Sequence, residues 1–217
     1  MRSAMTCPMR PRHSLWMLLA LAAPSMALSS PPTPANDTTP ACISLVGTNG
    51  STPAPEGEFT VICRDLANNP MAGAVVVIDL SGCPELFLCA DQLDPAVTVD
   101  CANKTARKLT GADGSVRFTI LGGSNGAGNA VTLLGGGRIF KNGGLIGAPT
   151  VSAFDLDGAN GVGAGDLSAW LTDFGSGNPF GRSDYDCSGS IGAGDLSFWL
   201  SAFASGASTL SCASQCP

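Results

Sequence analysis

Histidine is all but absent from this 217-residue chain: the single copy, His13, lies near the N-terminus. Beyond that segment, no Ser-His-Asp or Cys-His nucleophile and no His-ligated zinc or haem can be built. Charge is scarce as well, at 13% of residues against about 25% in an average globular protein. The formal net charge of −6 provides no basic face for a phosphate backbone, which argues against nucleic acid as a partner. Glutamate occurs only at Glu56, Glu58 and Glu85, and nothing in their spacing sets two of them across a cleft, as a glycosidase requires. No C-x-x-C pair is present, which weakens a redox motif and a zinc ribbon. The apolar run Leu15 to Ala23 falls well short of the roughly 20 residues that a bilayer span needs.

What the chain does contain begins with an address. Arg2, Arg10 and Arg12 precede that apolar run, and Ser25 and Ala27 are the small residues of a cleavage site. Residues 1–27 therefore read as a secretory signal peptide, and the protein as exported. Its removal leaves a net charge of −9 and eight cysteines: Cys42, Cys63, Cys83, Cys89, Cys101, Cys187, Cys212 and Cys216. An even number in an exported chain points to disulfides. Five precede residue 150 and three follow it, so complete pairing forces at least one bridge between the halves. The connectivity stays open, with a short Cys83–Cys89 loop among the options. Residues 28–41, rich in Ser, Pro, Thr and Asn, read as a flexible linker.

From 42 to 152 short β-rich runs alternate with turn residues. The expected strands are Glu58–Arg64, Ala74–Leu80, Ala96–Asp100, Ser115–Leu121, Ala130–Leu134 and Arg138–Lys141. The first and fourth alternate apolar and polar residues, while the second is apolar on both faces, as a central strand would be. Gly122 to Gly128 reads as a surface loop, because a strand rather than a helix is expected after it. The pattern predicts a β-sandwich. The segments Arg64-Asp-Leu-Ala-Asn-Asn-Pro-Met-Ala-Gly-Ala-Val-Val-Val-Ile-Asp79 and Leu109-Thr-Gly-Ala-Asp-Gly-Ser-Val-Arg-Phe-Thr119 resemble bacterial Ig-like domains of the invasin type. That resemblance implies a spacer or adhesive module without catalytic residues.

The C-terminal region repeats itself with a period of 29 residues. Asp155, Asp157, Val162, Asp166, Trp170 and Phe174 recur as Asp184, Asp186, Ile191, Asp195, Trp199 and Phe203. Each copy has the layout of a twelve-residue calcium loop, with carboxylates at positions 1, 3 and 12 and an aliphatic at position 8. Position 6, which needs positive φ, holds Asn160 in one copy and Gly189 in the other. Leu167, Trp170, Leu171 and Phe174, like Leu196, Trp199, Leu200 and Phe203, then mark one short amphipathic helix after each loop. The two aromatic stripes are expected to pack on each other, with both tryptophans in the core.

An aspartate at position 12, an exiting helix, no clear entering helix and tandem duplication together resemble the type I dockerin domain. The resemblance covers residues 155 to about 205 and implies two Ca²⁺ sites. Their ligands would be Asp155, Asp157, the Gly161 carbonyl and Asp166, and then Asp184, Asp186, Ser188, the Ser190 carbonyl and Asp195. Ala159 at position 5 deprives the first site of a side-chain ligand, so the second should bind more strongly. The resemblance also implies a cohesin-like or other extracellular protein partner. Ala164-Gly165 and Ala193-Gly194 stand where the family reads its partner, and the Lys/Arg pair common later in its helices is missing.

The expected fold is thus mainly β with a small α part. An Ig-like β-sandwich over 42–152 is followed by a dockerin-like calcium module over 153–206 and a Cys-containing tail over 207–217. The function this implies is a secreted, non-catalytic calcium-binding protein of adhesion or assembly, its module serving protein–protein contact or intramolecular stabilisation. The alternative is an extracellular carbohydrate-active hydrolase or its accessory domain.

Overall fold

The computed structural model describes residues 34–49, 52–126, 130–159, 161–205, 212 and 214–216. The signal peptide expected over 1–27 and the turn residue Asn160 lie outside the described residues. Strands dominate, and two helices, α1 (Ala164–Ser176) and α2 (Ala193–Ser205), close the chain order. Among the described residues, no helix is long and apolar enough to cross a membrane.

Five strands form the largest sheet, in the order Gly144–Gly147, Arg138–Lys141, Val75–Asp79, Thr105–Leu109 and Thr98–Asp100. Every neighbouring pair in it is antiparallel. Val75–Asp79 occupies the centre, the place its two-sided apolar sequence predicts. Lys141 and Gly144 face each other across a two-residue hairpin, for which Asn142 (φ 49°) and Gly143 (φ 83°) supply the two positive φ angles. Opposite, Glu58–Ile62 pairs with Ser115–Thr119, and burial alternates along both strands. Phe59 and Phe118 are register partners and stack at 5.4 Å. These inward residues share one buried cluster with Ile43, Leu45, Val76, Ile78, Ala106 and Ile139. Cys42–Leu45 closes the arrangement by pairing in parallel with Thr150–Ala153. The first long strand is therefore completed only by the last, and the expected unit boundary at 152/153 cuts through a paired strand.

Three expectations are corrected. Ala130–Leu134 is not a strand: the Thr132 N–H donates to Glu85 Oε1 at 2.9 Å and its carbonyl accepts from Gly181. Its backbone is thus occupied by a side chain and a turn rather than a ladder. Gly122–Ser124, read as the start of a surface loop, is a buried strand paired with Leu86–Leu88. It needs glycine because a Cβ at Gly122 would collide with the Phe87 carbonyl oxygen. Residues 34–41, the described part of the flexible linker, are folded against the sheet. The side chains of Asp37 and Lys141 are fully buried and paired at 2.7 Å, and Thr38 exchanges backbone hydrogen bonds with Ile62.

Candidate metal centre

The two acidic loops are built alike. Asp155 follows the Thr150–Ala153 strand and Asp166 lies in the first turn of α1; Asp184 follows a 3-10 turn, Gly181–Ser183, and Asp195 lies in the first turn of α2. One carboxylate oxygen from each of Asp155, Asp157 and Asp166 lies within 4.8 Å of the other two, and Asp184, Asp186 and Asp195 converge in the same way. Oxygens sharing one calcium ion at roughly 2.4 Å stand at most about 4.8 Å apart, so each triad is gathered within reach of a single cation. An all-oxygen donor set suits a hard cation.

The electrostatics point the same way. Asp155, Asp166, Asp184 and Asp195 are buried, Asp157 is half-buried and Asp186 exposed. None of the ion pairs among the described residues reaches any of the six. Carboxylates taken out of water beside one another resist ionisation. Burial, then the Asp166 charge, push Asp155 up to about 7. Burial likewise raises Asp166 and Asp184.

Backbone amides set the carboxylates in place. Asp166 Oδ1 accepts from the N–H groups of Leu156 (2.5 Å) and Asp157 (3.0 Å), and its Oδ2 from that of Gly163 (2.6 Å). Asp195 repeats this with Tyr185 (2.7 Å), Asp186 (3.1 Å) and Gly192 (2.7 Å). The twelfth residue thus ties the loop's start to its end and satisfies amides at the helix entrance. Asp155 Oδ1 accepts from Gly158, and Asp184 from Ser188 and Gly189. Gly161 is buried with φ 71°, and Gly189 has φ 83°. Ser188 Oγ donates to the Ser190 carbonyl at 3.0 Å, which sets two of the expected ligand residues side by side. Ala159 is exposed and offers no side-chain oxygen.

Several contributions to the site were not read from the sequence. A Cβ at Gly165 would overlap the Asp157 carboxylate, and one at Gly194 the Asp186 carboxylate. The Ala-Gly pairs before each position-12 aspartate therefore make room for position 3. The helix faces are also rotated from the expected stripe. In α1 the buried residues are Asp166, Ala169, Trp170 and Asp173, while Leu171 and Phe174 are exposed; α2 buries Asp195, Trp199 and Ala202 and exposes Leu200 and Phe203. Both tryptophans are in the core, as expected, but they share it with the β part through Val46, Leu121 and Phe154, and with Tyr185 of the second loop. The outward phenylalanines stack on the tryptophans of their own helices at 5.4 Å.

Between the loops, Arg182 is fully buried. Its Nε and Nη2 donate to Asp173 Oδ2 (2.7 Å) and Oδ1 (2.8 Å), and its Nη1 to Ser124 Oγ (3.2 Å) and the Gly126 carbonyl (2.8 Å). One guanidinium thus joins α1, the 3-10 turn that leads into Asp184, and the strand Gly122–Ser124. Tyr185 stacks on Phe154 at 4.8 Å and donates its hydroxyl to the Ala153 carbonyl at 2.9 Å.

Disulfides complete the attachment: Cys42–Cys187, Cys89–Cys212 and Cys101–Cys216. Every cysteine after residue 150 is bonded to one before it, which exceeds the single cross-link that parity demands. Cys63 and Cys83 are free and buried, so no Cys83–Cys89 loop forms. Two of the three glutamates are otherwise engaged: Thr132 binds both oxygens of Glu85, and Glu58 faces Arg117 at 3.5 Å. Compared with known proteins, the chain matches no family model, no curated protein and no solved structure.

Proposed function

We propose that this chain is an exported, non-catalytic calcium-binding protein of extracellular adhesion or assembly. In this reading the C-terminal repeat is a dockerin-like module braced against an Ig-like β-sandwich of the same chain. The observation that carries it is the pair of aspartate triads, each in the same 1, 3, 12 register, with two of its three carboxylates buried and no basic partner among the described ion pairs. Calcium would neutralise these carboxylates, and its binding energy would add to the stability of the folded repeat. The residues that would hold it are Asp155, Asp157, Gly161 and Asp166 in the first loop, and Asp184, Asp186, Ser188, Ser190 and Asp195 in the second, the better-provided site. Calorimetric titration of the chelator-treated full chain tests this. Two binding events are expected, the tighter one weakened in Asp186→Asn by the loss of a ligand charge; no heat of binding and no calcium-dependent rise in thermal stability refute the reading.

A partner role for the same module is favoured by its outward face. Phe174 and Phe203 are each 52% exposed at equivalent positions of the repeat, beside exposed Leu171 and Leu200. A cohesin-like or other extracellular protein is the occupant this face suits. Calcium-dependent capture of such a protein by the full chain should disappear in the Phe174→Glu/Phe203→Glu variant while its melting temperature is unchanged. Capture that survives both substitutions refutes this role.

A further inference from the structure

Cys187 lies inside the second acidic loop, at position 4, between Asp186 and Ser188. Its backbone is left-handed, with φ 54°, a region that a residue with a Cβ enters at a cost and glycine enters freely. The equivalent residue of the first loop is Gly158, with φ 74°. The repeat has therefore exchanged a glycine that adopts this turn unaided for a cysteine that must be held in it. Cys42 is what holds it, through the disulfide between them.

That anchor is firm. Cys42 is the first residue of the Cys42–Leu45 strand and is paired with Thr150 in the parallel ladder. Around the bridge, Cys42 Sγ lies 3.8 Å from the Tyr185 carbonyl oxygen, and Cys187 Sγ lies 3.5 Å from that of Ala41. Positions 2 and 4 of the loop thus rest on the same strand end. The residues on either side of these two points are the ligands in question: Asp184, Asp186 and Ser188. In the first loop position 4 is glycine, so that loop has no covalent tie of its own.

We propose that the Cys42–Cys187 bridge is a positioning element of the second cation site, and that calcium binding there and integrity of the bridge are thermodynamically linked. This rests on the calcium reading above. Opening the bridge releases Cys187 from its left-handed conformation and displaces Asp186 and Ser188, which weakens the second site and leaves the first unchanged. By reciprocity, a cation bound at Asp184, Asp186 and Asp195 keeps the two sulfurs together and opposes reduction. The reductant is an external dithiol. Its thiolate attacks one bridge sulfur, the S–S bond breaks, and its second thiol resolves the mixed disulfide. The dithiol leaves as a cyclic disulfide, having given two electrons and two protons to Cys42 and Cys187.

The test uses the oxidised full chain and the Cys42→Ser/Cys187→Ser variant, titrated with calcium by calorimetry. Asp186→Asn and Asp157→Asn identify which heat belongs to the second and the first loop. The double serine variant is expected to lose second-site affinity by about tenfold or more, with first-site affinity unchanged. A parallel measurement keeps the test decisive should that variant fold poorly. Wild-type protein is equilibrated in buffers of reduced and oxidised dithiothreitol with calcium or with chelator, and the open fraction of each bridge is read by alkylation and mass spectrometry. Calcium is expected to lower the open-to-closed ratio of Cys42–Cys187 severalfold at a given buffer ratio, and Asp186→Asn to reduce that protection. Two binding events indifferent to the bridge, or a reduction equilibrium indifferent to calcium, overturn the linkage and leave the calcium reading standing. No binding by the wild type overturns the calcium reading itself.

Discussion

Replacing Arg182 by methionine removes a buried guanidinium and strands its partner. Asp173 then loses two charge-assisted hydrogen bonds, at 2.7 and 2.8 Å, and keeps only the Ser183 hydroxyl at 2.6 Å. Ser124 Oγ and the Gly126 carbonyl lose their Arg182 donor as well. With the two side chains only 0% and 2% exposed, breaking such a pair costs about 3–5 kcal/mol, because an uncompensated charge remains out of water. Removing both charges is expected to cost much less. Asp173→Leu combined with Arg182→Met should recover most of the lost stability, since buried ion pairs often break roughly even against apolar replacements. The assay is urea unfolding of oxidised protein in calcium-containing buffer, followed by tryptophan fluorescence, with all four members of the cycle. A single-variant loss below about 1 kcal/mol, the range of exposed pairs, would show that Arg182 is solvated and does not brace the second loop. A double variant worse than the single would refute the stranded-charge argument.

Three further outcomes follow from the geometry. Because Asp155 is raised to about 7 and Asp166 and Asp184 are raised in the same direction, the calcium-free fold keeps protons that the unfolded chain releases above about 4. In chelator its unfolding midpoint should therefore fall as pH rises from 4 to 7, whereas carboxylates held low by hydrogen bonds, such as Asp65 and Asp113, act only below that window; a rising midpoint contradicts this. Gly165→Ala should weaken the proposed first cation site by pressing on Asp157, whereas Gly175→Ala, a helix position with no atom near its Cβ, should stabilise α1 by up to about 1 kcal/mol; calorimetry and thermal melts separate the two. Tyr185→Phe removes the bond to the Ala153 carbonyl but keeps the ring on Phe154, for an expected loss of about 1 kcal/mol in denaturant titration.

The parts of this fold legible in the sequence are those where one face alone is buried. Period-two alternation marked Glu58–Ile62 and Ser115–Thr119, and the 29-residue repeat marked both aspartate triads. Gly122–Ser124 escaped because its burial serves close backbone approach, and small residues carry no hydrophobic signal for that. Ala130–Leu134 misled because its short aliphatic, β-branched run has the composition of a strand, while the Thr132 amide answers to Glu85, 47 residues earlier in the chain. The helix stripes were read one position off. Hydrophobicity selected Leu171 and Phe174, but Asp173 and Asp166 are drawn inward by Arg182 and by loop amides, which rotates the face toward Ala169 and Trp170. Cysteine parity required one bridge between halves, whereas the three observed depend on three-dimensional neighbours that no spacing encodes.

The interleaving of those bridges has a mechanical consequence. Cys42, Cys89 and Cys101 all precede residue 102, and their partners Cys187, Cys212 and Cys216 all follow residue 186. A single protease cut anywhere between 101 and 187 would divide the backbone without separating the fragments, which would remain joined by three covalent rungs. Such a molecule would migrate as one species until reduced, a form of durability in which an unbroken main chain is no longer needed to keep the protein in one piece.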